Sequence, residues 1–247
     1  MNLIILAAGK SSRIYKKIKK NKCLINVNRK QTIIGKIIDD AAPYFNKIYV
    51  ITGFNKKYLQ NIIHKKNKNI KFIYNKEYYK KDMLHSLYLG LKHSNDSTLI
   101  CYSDIIFDKK IFKKISNVFN KINHISLPLL KNWRRIWKER NKLETLDAEE
   151  IKINKSNFVK KIGKKINFKD KNTKYQFMGI LYFPKNKTKK ILKIYQKIKD
   201  KKLQSTNFIQ YLIDNNYKIK AIPLSAFWYE IDDYEDYVFF KNNYKHI

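Results

Sequence analysis

The chain has 247 residues, 44% hydrophobic and 14% aromatic, enough apolar side chain for the core of one large α/β domain or two small ones. Its formal charge is +34 at pH 7, but the excess is nearly all lysine spread evenly among Ile, Asn, Tyr and Phe, a mixture closer to AT-rich codon usage than to a selected basic face. No stretch has the pattern of a recognition helix, so nucleic-acid binding is set aside as the main function, and runs such as Lys16–Lys22 and Lys65–Lys68 are expected to be solvated faces. Cys23 and Cys101 are too few for a disulfide framework and lack the CxxC spacing of a structural zinc site, which points to a reducing compartment. The opening MNLIIL is too short for a signal peptide, and no run approaches the roughly 20 apolar residues of a membrane span, so a cytoplasmic protein with no membrane partner is expected.

In chain order, Asn2–Leu6, Lys47–Thr52, Asn69–Tyr74 and Ser97–Tyr102 are apolar runs of strand length. Between and after them, Thr32–Tyr44, Lys57–Lys65, Met83–Lys92 and Lys109–Asn120 carry apolar residues at helical spacing. That alternation predicts a parallel sheet with helices on its faces. From about Ile125 the order loosens: a hairpin over Ile151–Ile153 and Asn157–Ile162, a strand over Gln176–Phe183, helices over Lys187–Lys199 and Thr206–Asn215, and strands over Lys218–Ile222 and Ala226–Ile231. With no repeat, Pro-rich linker or low-complexity tail, a single domain over 1–247 is expected. The change of order divides it into a first part of about 1–123 and an elaboration of about 124–247.

Within LAAGKSSR, the small residues Ala7, Ala8 and Gly9 follow a strand directly, at the carboxyl end where open α/β sheets bind ligands. Small side chains leave the backbone amides open to a phosphate chain, and Gly9 admits φ values closed to other residues. Arg13 offers a planar fork of donors and Lys22 a point charge. Gly9-Lys10-Ser11 matches the end of a P-loop, but Ile4 stands where that motif needs its first glycine. CYSDIIFD places Asp104 after one strand, and WYEIDDYEDY places Glu230, Asp232 and Asp233 at the end of another. Carboxylates at strand ends suit a hard cation such as Mg²⁺. Asp233 reads as the N-cap of a following helix. Ser86 can bond back to its own helix, His85 reads as a packed or surface histidine, and Trp133 and Trp137 at i and i+4 can be a helix's buried face.

These stretches, with KCLINVNRKQTIIGKIID, YNKEYYKKDMLHSLYLGLK, WRRIWKERNKLETLDAEE, KIGKK and YQFMGILYF, together resemble the small-molecule nucleotidyltransferase family over nearly the whole chain. The likeness is greatest to its bacterial phosphocholine and 2-aminoethylphosphonate cytidylyltransferase branch. Against that pattern Ser11 replaces a second glycine, Cys23 a proline, and Asp82 a polar amide or threonine.

The resemblance implies a Rossmann-like nucleotidyltransferase fold, a mixed and mostly parallel sheet flanked by helices with a small C-terminal elaboration. It implies a Mg²⁺-dependent reaction that joins CMP from CTP to a small phosphate- or phosphonate-bearing metabolite and releases pyrophosphate. Nucleotide binding then falls to Leu6, Ala7, Ala8, Gly9, Lys10, Ser11 and Ser12 around the triphosphate, with Gly53, Asp82 and Ser86 at the cytosine and ribose. Arg13 and Lys22 are the catalytic cations on the leaving group, and Asp104 and Asp232 the metal ligands. Trp133, Glu149, Trp228 and Tyr229 are candidates for an amine-bearing acceptor, with Lys164 opposite its phosphate. Expected partners are thus CTP and the acceptor, with no nucleic acid and homo-oligomerisation open. The competing readings are a sugar-1-phosphate nucleotidyltransferase using UTP, dTTP or GTP, and a non-catalytic polyanion-binding protein.

Overall fold

A computed structural model describes residues 1–64, 70–80, 83–140, 148–167, 170–199 and 203–244. The first strand, β1 (Asn2–Ala7), is buried along its whole length, as a continuous apolar run at the centre of a sheet requires. A short helix α1 (Ser12–Ile18) and a 3₁₀ turn (Lys22–Leu24) follow, then α2 (Ile33–Ala41), capped by the Thr32 hydroxyl, which accepts from the Gly35 amide at 3.1 Å. The alternation continues through β2 (Ile48–Thr52), α3 (Lys56–His64), β3 (Ile70–Tyr74), α4 (Met83–His93) and β4 (Thr98–Tyr102). Next come β5 (Ile105–Phe107), α5 (Ile111–Phe119), β6 (Ile125–Leu130) and α6 (Trp133–Glu139). The remaining elements are β7 (Glu149–Ile153), β8 (Val159–Lys165), β9 (Gln176–Phe177), β10 (Ile180–Phe183), α7 (Lys185–Lys197), α8 (Ser205–Asp214), β11 (Ile219–Leu224), β12 (Trp228–Glu230) and α9 (Tyr234–Asn243).

Among the described residues the main sheet runs β11-β6-β10-β4-β1-β2-β3, with β9 added beside β6. β1 to β4 are mutually parallel where they pair, β6 and β11 are parallel to each other, and β10 is antiparallel to both β4 and β6. The fold is therefore α/β, a mixed and mostly parallel central sheet flanked by helices. Side chains of β1 alternate between two cores: Leu3, Ile5 and Ala7 face α2, α3 and α5, while Ile4 and Leu6 face α4, α7 and α8. α4 sits close on β1, because a Cβ on Gly90 would lie 2.7 Å from the Ile4 side chain. β1 lies between β2 and β4: the chain winds from β1 to β2 and β3 on one side and then crosses to β4 on the other, and such a reversal opens a crevice at the strands' carboxyl ends.

The second half differs from the expectation of a decoration: β6, β10 and β11 are hydrogen-bonded members of the same sheet. β6 escapes sequence reading because Pro128 interrupts it, and proline argues against an interior strand. On the side of β10 and β9 the residue falls between two pairings, Ser126 with Tyr182 and Leu129 with Phe177, while on the other side it stays in register with Ile222 of β11. The expected strand Gln176–Phe183 is two pieces, broken at Gly179, whose φ of 69° and approach to Ile105 exclude a side chain. The expected helix Thr32–Tyr44 ends as α-helix at Ala41 and passes into a 3₁₀ turn through Pro43. No described helix is long and apolar enough to cross a membrane.

Candidate active site

The loop after β1 turns into α1 at Ser11, which adopts φ 56° and ψ 37°, the left-handed region. Glycine's freedom was expected to be used at Gly9. The positive φ falls on Ser11 instead, and Gly9 has open space where a Cβ would sit. The strain at Ser11 comes with a specific contact, since its hydroxyl accepts the Lys22 backbone N–H at 3.0 Å and ties the loop to the 3₁₀ turn that carries Lys22. Gly53 supports the loop from behind: the Phe54 amide donates to the Ala8 carbonyl at 3.1 Å, and a Cβ on Gly53 would lie 2.5 Å from that oxygen.

Asp104 leaves the end of β4, and an antiparallel ribbon outside the main sheet then brings the far end of the chain to it. β5 pairs with β12 in the register Glu230 to Ile105, and the Ile231 amide donates to the Asp104 carbonyl at 3.2 Å. Oxygens of Asp104, Glu230 and Asp232 consequently lie within 4.8 Å of one another. Lys22 Nζ sits among them, 2.9 Å from Asp232 and 3.3 Å from Asp104, and Arg13 reaches Asp232 at 3.0 Å.

The titration behaviour follows from crowding three acids around one buried lysine. Burial would lower the Lys22 pKa, but Asp104, Asp232 and Glu230 together raise it. Burial pushes Glu230 well above the usual carboxylate range, and Asp232 and Asp104 push it the same way. Asp104 is likewise raised, by burial first, with Lys22 opposing and Asp232 adding. Burial would raise Asp232 too, but Lys22 and then Arg13 outweigh it and hold this carboxyl below its ordinary value. Burial lifts the Cys23 thiol to about 12, so it stays protonated beside this cluster. Three carboxylates with hard oxygen donors at this spacing fit a divalent cation such as Mg²⁺.

One cleft is lined by Leu6, Ala7, Ala8, Gly9, Ser11, Ser12, Arg13, Lys22, Ser86 and Asp104 of the expected set. Lys10 is exposed and outside that lining, Gly53 is packed behind the loop, and Asp82 lies outside the described residues. Glu149 is half-buried, its carboxylate accepting from the Thr206 hydroxyl at 3.2 Å, and Lys164 is an exposed residue of β8. Trp133, Trp228 and Tyr229 are each 1% exposed. Trp137 stacks on Trp228 at 5.3 Å and meets Trp133 edge-on at 5.6 Å, so these aromatics are core and not the faces of a ligand cage. His85 is packed between Glu77 at 3.3 Å and the Tyr195 hydroxyl at 2.6 Å. Asp233 caps α9 by accepting the Asp236 amide at 2.9 Å.

The cleft also contains Asn75, Tyr78 and Tyr102, which sequence reading did not single out. Asn75 is fully buried at the end of β3, donating to the Ser86 hydroxyl at 3.0 Å and accepting from the Glu77 amide at 2.9 Å. A polar residue directly after an apolar strand was the available signal. Glu230, named in its acidic stretch but not as a ligand, becomes the third carboxylate.

Residues 3–128, just over half of the chain, match the MobA-like NTP transferase domain. The chain belongs to that family, and its class is nucleotidyltransferase. No curated protein sequence matches it. A Bacillus anthracis protein described as a glucose-1-phosphate thymidylyltransferase superposes with TM-score 0.78 at 18% identity, over 100% of this chain and 96% of its own. The inositol-1-phosphate CTP transferase of T. maritima follows at 0.76 and 17%, over 99% and 96%. The CTP:phosphocholine cytidylyltransferase of Streptococcus pneumoniae gives 0.72 and 19%, over 96% of both chains. At these identities the likeness is one of fold.

Proposed function

We propose that the chain is a Mg²⁺-dependent cytidylyltransferase that joins CMP from CTP to a small phosphate- or phosphonate-bearing metabolite with an amine or quaternary ammonium, such as phosphocholine or 2-aminoethylphosphonate, and releases pyrophosphate. The observation that carries the reading is Lys22 between Asp104 and Asp232 at the mouth of the small-residue loop. That arrangement juxtaposes a small-residue loop with open backbone amides, two cationic heads and a carboxylate cluster.

In this reading the amides of Ala8 to Ser12 cradle the triphosphate, while Arg13 and Lys22 counter the charge that builds on departing pyrophosphate. Asp104, Asp232 and Glu230 hold the Mg²⁺, which when bound offsets charge on the phosphate oxygens. No general base is required, since a phosphate monoester is already ionised near neutral pH, and catalysis is mostly positioning and charge stabilisation. Buried Asn75 and Ser86 set the wall against which a base rests. The acceptor's amine is assigned to the Tyr102 side of the cleft, with Glu149 as the carboxylate that attracts it. In that division the part up to about 123 holds the nucleotide and the later part the acceptor, with Tyr102 turned to the acceptor and Glu230 and Asp232 joining Asp104 at the metal.

Pyrophosphate release measured across CTP, UTP, dTTP and GTP, with phosphocholine, 2-aminoethylphosphonate and a sugar 1-phosphate, tests every part of the proposal. Turnover is expected only with Mg²⁺, CTP and an amine-bearing acceptor together. Equal rates with UTP, or preference for the sugar 1-phosphate, would replace this reading with that of a sugar-nucleotide enzyme.

A further inference from the structure

Behind the carboxylate cluster lies a second charged group, buried away from solvent. Arg140, at the end of α6, and Asp236, in the first turn of α9, form an ion pair with side chains 0% and 1% exposed. Arg140 Nε donates to Asp236 Oδ1 at 3.1 Å and Nη2 to Oδ2 at 2.8 Å. The same Oδ2 accepts the backbone N–H of Asp232 at 3.0 Å. Asp236 grips the turn at two more points: its carbonyl accepts the Tyr229 hydroxyl at 3.0 Å, and its amide donates to Asp233 at 2.9 Å. The guanidinium itself lies over the Trp137 and Tyr229 rings, at 5.1 and 5.5 Å.

We infer that the buried Arg140–Asp236 pair is the positioning device of the carboxylate site, with Asp236 anchoring the backbone of Asp232 and Arg140 fixing Asp236. The inference rests on the reading of Asp104, Glu230 and Asp232 as a cation site. Desolvating two charges is costly, and apolar replacements of such pairs are often neutral or stabilising, so stability alone gives the fold little reason to keep one here. A carboxylate ligand, in contrast, is useful only if its main chain is held in place, and residues that orient a ligand commonly change metal affinity ten- to a hundredfold. The pair connects two elements, α6 and α9, to the one turn that carries both Glu230 and Asp232.

Mn²⁺ binding to the full chain without nucleotide, followed by loss of the free-ion electron paramagnetic resonance signal, separates this role from a merely structural one. Two variants are informative. The double variant Arg140→Met/Asp236→Leu removes both charges and leaves the Asp232 N–H unanchored. The single variant Asp236→Asn offers oxygen on one side only and cannot meet donors on both. Both are expected to weaken Mn²⁺ at least tenfold, the double variant with a melting temperature near that of the unmodified chain, and both with a higher Mg²⁺ half-saturation in the pyrophosphate assay. Either variant, folded by near-ultraviolet circular dichroism and binding Mn²⁺ as tightly as the unmodified chain, would overturn the positioning role alone. Mn²⁺ binding by the unmodified chain that Asp232→Ala leaves unchanged would overturn the cation site and this role with it.

Discussion

The Lys22 ammonium lies 2.9 Å from the Asp232 carboxylate although 210 positions separate the two residues. Lys22 is the principal counter-charge to Asp104 and Asp232, so replacing it with an apolar residue of similar length leaves those two carboxylates facing one another. Lys22→Met is expected to cost about 3 kcal/mol in the presence of chelator, the scale for removing one partner of a buried pair. Part of that loss should return with millimolar Mg²⁺. Urea unfolding with and without the ion checks it, and indifference to Mg²⁺ would remove the carboxylates from the list of cation sites.

For turnover, Asp104→Ala and Asp232→Ala are each expected to lower kcat by about a thousandfold, roughly 4 kcal/mol of barrier, with the fold retained. Single-turnover pyrophosphate release beside a melting curve provides the comparison. Near-normal kcat in Asp232→Ala would reduce that residue to a partner of Lys22 and Arg13.

Ser11 couples a left-handed backbone to a hydroxyl contact, and the two effects can be separated. Ser11→Ala keeps the strained φ and loses the bond to the Lys22 amide, an expected loss of about 1 kcal/mol. Ser11→Gly loses the same bond but relieves about 1 kcal/mol of backbone strain, so it should be close to neutral. Denaturation midpoints should therefore rank the unmodified chain and Ser11→Gly together, above Ser11→Ala. The reverse order for the two variants would show that the backbone is unstrained.

Glu230 and Asp104, both raised above the ordinary range, make the metal-free fold sensitive to alkali. Between the ordinary carboxylate pKa and the raised folded value, the folded state keeps a proton that the unfolded chain has released. Stability therefore falls as pH rises through that interval. Asp232, held low, acts oppositely: its contribution is present above the usual aspartate value and is lost only as pH falls below it. Unfolding free energy in chelator is expected to decline as pH rises above the usual glutamate value, until Glu230 has lost its proton, and Glu230→Gln to flatten the slope. An unchanged slope in that variant would assign the proton elsewhere.

At the acceptor side, Gln176 holds the Glu149 main chain from both directions, accepting its N–H at 3.1 Å and donating to its carbonyl at 2.6 Å. The Glu149 carboxylate accepts from the Thr206 hydroxyl at 3.2 Å, and a carboxylate held at both ends suits a cation. Glu149→Gln is expected to lower kcat/KM for phosphocholine about a hundredfold relative to glycerol phosphate, roughly 2.7 kcal/mol. Competition between the two acceptors reads this directly, and an untouched ranking would move the amine to another wall.

Much of the nucleotide side is legible from sequence because its signals are local. A buried strand followed at once by Ala-Ala-Gly needs no distant partner to be understood, and Asp104 is marked by following an apolar run. The choice of Ser11 over Gly9 for positive φ is not, since it depends on where the Lys22 amide arrives. Glu230 could be seen as acidic but not placed, because its position depends on pairing with the three-residue strand β5, too short to carry a pattern of its own. Trp133, Trp228 and Tyr229 show the opposite failure: composition recommends an aromatic equally for a core and for a cage, and only burial separates them.

The ribbon of β5 and β12 has a consequence for synthesis. A chain made from its N-terminus can form β1, its loop and much of the parallel sheet while the segment bearing Glu230 and Asp232 has not yet been translated, as N-terminal units commonly fold first. Through that interval Lys22 has Asp104 alone as a partner among the three acids that later surround it. The nascent chain thus reaches a stage that has the small-residue loop and Lys22 but not the full carboxylate cluster, which is completed only when the last ribbon strand docks.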